Sequence, residues 1–276
     1  MKEADLDAVK RLRAGVFGRG AQHYDRVGTP IFGQLGRRLV ELAGVRAGDR
    51  VLDVATGRGA VLFAATELVG ERGRVIGVDL AEEMVALTSD DVRECGIGNA
   101  EIRVADAERL SGFCDADFDC VTCAFAIFFL PDPESALREF HRVLRPGGTI
   151  ALSSWGPSDD PRYAWYQDLR HEFGISVDLE TRAFDTADEL AAALSTSGFR
   201  DVRVSTERAV LRLGDPEEWW RWLLTGGGRA AVESLDPQSR TRFRKAAFER
   251  IREVYEGGAP TLDEPALLAV ASKPAI

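Results

Sequence analysis

Asp53, Gly57, Gly59 and Asp79 form the constellation in this chain whose residue types and spacing describe a ligand site. The two glycines flank Arg58 in a turn directly after an apolar run, and glycine there lets backbone N–H groups approach a ligand with no Cβ in the way. Asp79 follows Gly57 by 22 positions (79 − 57) and ends a second apolar run. A carboxylate at that place accepts two hydrogen bonds from a ribose diol, so the spacing describes an adenine nucleoside. Nicotinamide dinucleotides use the same pair. Two residues weigh against a diphosphate, however. The sixth position from Gly57 is Leu62, where a dinucleotide loop needs a small residue for close helix–strand packing. Asp53 sets a negative charge beside the turn, which repels phosphate and suits a cation.

These residues need a parallel βαβ unit to bring them together. Arg50 to Val54 reads as a strand, Val61 to Leu68 as the helix after the turn, and Val75 to Asp79 as the next strand. A third strand, Glu101 to Ala105, ends at Asp106-Ala107, where an acid and a small residue either hold an adenine amino group or cap the following turn. The fourth, Phe118 to Ala124, runs into Phe125, Phe128 and Phe129, an apolar wall at the ligand edge with Phe125 nearest the ligand and Phe128 or Phe129 in the core. A helix over 134–144 stops at Arg145-Pro146-Gly147-Gly148 before a fifth strand, 149–154. Strand six covers 201–213 and a last strand 266–271. Ahead of the first strand, helices are expected over 7–15 and 31–43.

The run from Asp53 to Gly59 resembles the first motif of class I S-adenosylmethionine (SAM)-dependent methyltransferases, acid-x-Gly-x-Gly-x-Gly, matching at Asp53, Gly57 and Gly59. Ala55 replaces the first glycine and is expected to keep φ < 0. SAM carries a sulfonium and an ammonium and no phosphate, in keeping with an acidic site. The resemblance implies a Rossmann-like, seven-stranded, mostly parallel sheet with flanking helices, an N-terminal helical lid and a helical cap inserted before the last strand. It implies SAM contacts at Asp53, Ala55, Thr56, Gly57, Gly59, Asp79, Leu80, Asp106, Ala107 and Phe125. Tyr24-Asp25 resembles a pair that sits on the lid over the methionine end, with Tyr24 otherwise a helix-packing aromatic. The implied division is a lid over 1–45, a SAM-binding core over 46–155 completed by 185–213 and 264–274, and a substrate cap over 156–184 and 214–263.

The acceptor side is read from aromatic residues. Phe128, Phe129, Trp155, Trp165, Tyr166, Trp219 and Trp222 are the candidates to enclose it. Trp219 and Trp222, three apart, share a helix face, and packing of the cap onto the sheet accounts for at least one of them. Gly226-Gly227-Gly228 marks a joint between cap helices, either a hinge for acceptor entry or a loop. Methyl transfer chiefly needs an aligned nucleophile and excluded water. If a base is used, His23, Tyr24 beside it, or His171 is the candidate catalytic group, while His141 lies on the helix that ends at Leu144 and reads as structural.

Composition bounds the rest. A net charge of −10 argues against sequence-independent nucleic-acid binding, no apolar run approaches a bilayer span, and the Met1 end shows no secretory pattern, so a cytoplasmic protein is expected. Cys95, Cys114, Cys120 and Cys123 are too few and too clustered for a disulfide framework. Cys120 and Cys123 point to opposite faces of a strand and read as buried thiols, so no metal is expected. The amphipathic N-terminal helices offer a surface for a second copy. The expected function is SAM-dependent O-, N- or C-methylation of a small, rather apolar acceptor in natural-product or quinone-like biosynthesis. A SAM-binding fold adapted to a cyclisation, and a non-catalytic nucleoside-binding regulator, are the alternatives.

Overall fold

The protein's computed structural model describes residues 3–158, 160, 164–177, 179 and 184–275. Among them seven strands, β1 (Arg50–Val54), β2 (Arg74–Asp79), β3 (Ala100–Val104), β4 (Phe118–Ala124), β5 (Leu144–Trp155), β6 (Arg200–Arg212) and β7 (Thr261–Ser272), make one sheet ordered β3-β2-β1-β4-β5-β7-β6. The pairings from β3 across to β5 are parallel, and β7 runs antiparallel to β5 and β6. This is the Rossmann-like sheet expected. β1 and β4 carry nearly continuous apolar runs because helices cover both faces of a parallel sheet, leaving Val51, Leu52, Val54, Val121 and Cys123 buried. The strand order reverses between β1 and β4, and ligands of such sheets bind at the carboxyl ends of the strands there.

The helices are α1 (Glu3–Gly20), α2 (Phe32–Ala43), α3 (Ala60–Val69), α4 (Glu82–Glu94), α5 (Pro133–Val143), α6 (Ala164–Glu172), α7 (Ala187–Thr196), α8 (Pro216–Leu223), α9 (Gly228–Glu233) and α10 (Pro237–Val254). Their starts follow the sequence closely. Asp132 accepts the Ser135 amide at 3.0 Å ahead of Pro133, Thr186 accepts that of Glu189, and Asp236 accepts those of Gln238 and Ser239. Leu62 is buried against Gly77 of β2, where an added Cβ would stand 2.6 Å from Leu62 Cδ1. The bulk that argued against a dinucleotide loop is therefore accommodated by a glycine in the neighbouring strand.

Three boundaries differ from the sequence reading. α1 runs on to Gly20 instead of stopping near Gly15. Its last glycines serve packing: a Cβ on Gly20 would stand 2.2 Å from the Thr225 carbonyl oxygen, and one on Gly18 would meet Glu83. β5 begins at Leu144, five residues early, paired with Phe118, and its register against β4 shifts between Phe118 and Cys120. Lys273, just past β7, donates to the carbonyls of His141 and Leu144 at 2.7 Å and fixes that corner. β7 begins at Thr261 because β6 pairs with it from Arg212↔Thr261 onward.

α8, α9 and α10 lie between β6 and β7, as expected of an inserted cap, and share a second apolar cluster with α6 around Trp219 and Phe243. Of the expected cap segment 156–184, residues 159, 161–163, 178 and 180–183 lie outside the described residues. α1 turns Val16 inward and leaves Leu12 exposed. Cys120 and Cys123 are buried thiols whose pKa burial raises, and the described residues contain no cluster fit for a metal ion. No described helix is long and apolar enough to cross a membrane.

Candidate active site

At the carboxyl end of β1 the chain turns sharply through residues 55–59. Thr56 N donates to Val78 O at 2.9 Å and Gly59 N to Thr56 O at 2.8 Å, which ties the turn to β2 and closes it on itself. Gly57 N donates to Asp79 Oδ2 at 2.9 Å, and Ala81 N donates to Asp79 Oδ1 at 2.9 Å. The spacing of 22 residues thus becomes a direct bond. Asp79 still has lone pairs for a ribose diol, since each carboxylate oxygen accepts more than one hydrogen bond.

Ala55 sits at φ 54, which overturns the expectation of φ < 0. The turn demands a left-handed residue there whether or not the residue is glycine, at a cost of about 1–2 kcal/mol. Asp25 (φ 55) and Phe125 (φ 51) share that conformation. All three border the clefts described below, and strain of this kind persists where surrounding contacts over-determine it. Phe125 is held by its amide donating to Ser153 O and Oγ, with its ring 4.4 Å from Trp155 and 5.3 Å from Phe32. Asp25 accepts the Ile31 and Phe32 amides at 3.1 and 3.4 Å, so it caps α2 and fixes Tyr24 beside it. Tyr24 stacks on Phe32 at 5.4 Å, and burial raises its phenol pKa.

Three cavities meet here. The first, about 830 Å³, is lined by Asp79, Leu80, Met84, Asp106, Ala107 and Phe129 among others. Helix α1 closes over it: Lys10 Nζ reaches Asp106 at 2.7 Å and Glu108 at 2.6 Å, and Arg13 donates to the Phe129 carbonyl. Asp106 also accepts the Glu108 amide at 2.9 Å, so it caps its turn and faces the cleft at once. The second, about 750 Å³, is lined by Asp25, Arg26, Asp53, Thr56, Arg58 and Asp91 with apolar neighbours. The third, about 1880 Å³, lies under the cap and is walled by Phe17, Phe128, Trp155, Tyr166, Leu211 and Trp222 among others. Ala55, Gly57 and Ala124 border the first two, and Tyr24 and Phe125 border all three.

The second cleft carries the charge. Asp53 is buried in β1, where Thr56 Oγ1 donates to it at 2.6 Å and Thr122 Oγ1 at 2.8 Å. Burial pushes its pKa up to about 6 against these two bonds, and the nearby Asp79 charge adds to the rise. Asp79 is raised by burial too, opposed by the Ala81 and Gly57 amides. Two desolvated carboxyls close together favour a cationic ligand, which restores their ionisation. Arg58, also buried, donates to Ala21 O at 3.0 Å and pairs with Asp91, while its Nε is buried with no hydrogen-bond partner. A zwitterionic, sulfonium-bearing amino acid fits this mixture of buried acids and a guanidinium. The sequence reading passed over Arg58 and Arg26, although a basic residue between two loop glycines was a visible signal.

Several expected site residues lie elsewhere. His23 closes the 3₁₀ turn 21–23 and is exposed, and His171 ends α6 on the side away from Trp165, Tyr166 and Leu169. Neither borders any of the three cavities. Trp165 and Trp219 pack on each other with centroids 5.2 Å apart and are core residues of the cap, not walls of the third cavity. The reason is rotational: three positions along α8, Trp219 faces the cap core and Trp222 the cavity. Phe128 and Phe129 both border the third cavity, so neither is purely core. His141 packs edge-on to Phe199 at 5.1 Å, a structural place.

Sheet, switch-point turn and acid-lined clefts define a Rossmann-like α/β protein built to hold a nucleoside with a charged tail. Residues 52–152 match the family model for a methyltransferase domain. The chain is 33% identical over 264 residues to nocamycin O-methyltransferase of Saccharothrix syringae, covering 89% of this chain and 92% of that one. It is 42% identical over 144 residues to the ubiquinone/menaquinone biosynthesis C-methyltransferase UbiE of Pseudomonas fluorescens, spanning 50% of this chain and 56% of that protein. In fold it is similar to the YcgJ protein of Bacillus subtilis, with TM-score 0.60 and 21% identity over 87% of this chain and 99% of that one. The chain belongs to the SAM-dependent methyltransferase family. Its methyl donor is S-adenosyl-L-methionine.

Proposed function

We propose that the first two cavities hold SAM and that the third holds a small, rather apolar methyl acceptor. The observation that carries this reading is that Tyr24 and Phe125 border all three cavities, so donor and acceptor spaces touch at one place. When bound, SAM supplies an electrophilic methyl group on a sulfonium. Asp79 accepts from the ribose hydroxyls beside its two amide bonds, and Asp106 and Ala107 line the adenine end with Leu80. Asp53 and Thr56 face the charged end through the second cleft, which Arg58 also lines.

α1 and the strand-end aromatics exclude water from the junction. Excluding water and fixing the approach of two reactants can be worth effective molarities on the order of 10⁵ M or more. Residues 1–45 act as the lid, 46–155 with 185–213 and 264–274 as the SAM-binding core, and 156–184 with 214–263 as the acceptor cap. The apolar walls of the third cavity, together with relatives named for nocamycin and for quinone biosynthesis, support an acceptor from natural-product or quinone-like metabolism. Methyl transfer is preferred to cyclisation or a regulatory role because the relative matched along nearly its whole length is named a methyltransferase.

Purified protein incubated with methyl-labelled SAM and a panel of hydroxylated naphthoquinones and polyketides is expected to yield a labelled product and S-adenosylhomocysteine. Tight SAM binding in calorimetry with no transfer to any member of the panel would sink the acceptor class, and absence of SAM binding would sink the site.

A further inference from the structure

Glu264 stands on a sheet face that is otherwise apolar where it floors the third cavity. Cross-strand partners in an antiparallel pair present their side chains to the same face, and alternate residues along a strand share it. The pairings Trp155↔Ala266, Ala209↔Glu264 and Leu211↔Leu262 therefore set Trp155, Ala209, Leu211, Leu262 and Glu264 in one layer. All five border the third cavity. Glu207 on the same face is drawn out of it by Arg38 at 2.9 Å.

Glu264 is half-buried, and burial raises its pKa. Ser158 hydrogen-bonds to it, while the neighbouring charges of Asp160 and Asp263 add to the rise. Asp263 is tied to Arg208 at 3.0 Å, and among the described residues no cation pairs with Glu264 itself. A carboxyl in such a layer is costly unless something hydrogen-bonds to it. Leu262 and Ala209 beside it show what a purely structural position here would hold. Among the described residues that line the cavity the one cation is Arg170, which donates to Val177 O at 2.7 Å and to Gln167 Oε1 at 3.4 Å. Glu264 thus offers the acceptor a hydrogen-bond-accepting group, and Asp185 is a second carboxyl that borders the same cavity.

We infer that Glu264 selects the substrate: its carboxylate accepts a hydrogen bond from a hydroxyl on a neutral, otherwise apolar ring, making phenol- or enol-bearing compounds the acceptor class of this cavity. The inference rests on the reading of the third cavity as the acceptor site. Aryl ethers of the same shape lack the donor and are rejected, and anionic acceptors meet a like charge.

The full chain saturated with S-adenosylhomocysteine is titrated with 2-naphthol and with 2-methoxynaphthalene, following quenching of Trp155 and Trp222, which border the cavity. The wild type is expected to bind 2-naphthol about tenfold tighter than the ether at neutral pH, the scale of one hydrogen bond to a charged group. E264L loses the preference, and E264Q keeps a smaller one that does not vary with pH. In the wild type the preference declines on acidification as Glu264 protonates in its setting of Ser158, Asp160 and Asp263. Equal affinity of the wild type for both probes, failure to bind either, or a preference that survives in E264L overturns the inference. Calorimetry with S-adenosylhomocysteine on each variant separates the two levels. Retained cofactor binding with no probe preference overturns the role of Glu264 alone, whereas no cofactor binding by the wild type overturns the site on which it rests.

Discussion

Asp53→Asn is expected to make the ligand-free protein more stable while weakening SAM binding. Asp53 is 1% exposed, and its pKa stands at about 6 against an ordinary 3.8. At about 1.4 kcal/mol per pH unit, keeping this group ionised at neutral pH costs the folded state on the order of 3 kcal/mol. The sign follows from the raised value. The contribution of Asp53 to stability is fully present below its unfolded pKa and is lost as pH rises through about 6. Asparagine keeps the shape, still accepts from one of the hydroxyls of Thr56 and Thr122, and carries no charge to desolvate. The difference in unfolding free energy between variant and wild type should therefore be near zero at acidic pH. It should grow to on the order of 3 kcal/mol in favour of the variant at neutral pH. Urea unfolding followed at several pH values measures it, and calorimetry with SAM on the same samples measures the functional cost. Stability bought by removing a charged site residue is the usual trade at binding sites. A variant less stable than wild type at neutral pH, or one that binds SAM unchanged, would refute the reading of Asp53 as a desolvated anion kept for a cationic ligand.

Asp79→Ala should weaken SAM binding by about 1.5–3 kcal/mol, the range for a lost hydrogen bond to a charged group, and unchanged calorimetric affinity in a folded variant would exclude Asp79 as the ribose ligand. Gly59→Ala places a Cβ 2.6 Å from the Phe63 ring at φ +81, so thermal unfolding should show a loss of about 2 kcal/mol or more together with loss of SAM binding. Trp219 and Trp222 should separate cleanly. Trp219→Ala leaves a void in the cap core and should cost about 3–5 kcal/mol in urea unfolding. Trp222→Ala should raise the acceptor KM with SAM affinity unchanged. Wild-type stability in the first, or unchanged KM in the second, would overturn the assignment.

The amino-acid sequence by itself determined the sheet, the switch-point turn and the donor chemistry. Each of these rests on local signals: apolar runs that must be strands, glycines where backbone approaches backbone, and an acid at each of two strand ends. The place of Asp79 beside Gly57 could be read because it depends on spacing within one βαβ unit. The sequence did not show which face of a helix looks where. Trp219 and Trp222 have the same residue type, on one helix turn, and only the packing of α8 against α6 and α10 sends one to the core and the other to the cavity. His23 and His171 were plausible bases by chemistry, and the direction their elements take places them outside the three cavities. The strained backbones of Ala55 and Phe125, the guanidinium of Arg58 and the carboxyl of Glu264 were likewise hidden. Their meaning comes from contacts between segments far apart in the chain, and such contacts exist only once the sheet, lid and cap have closed on one another.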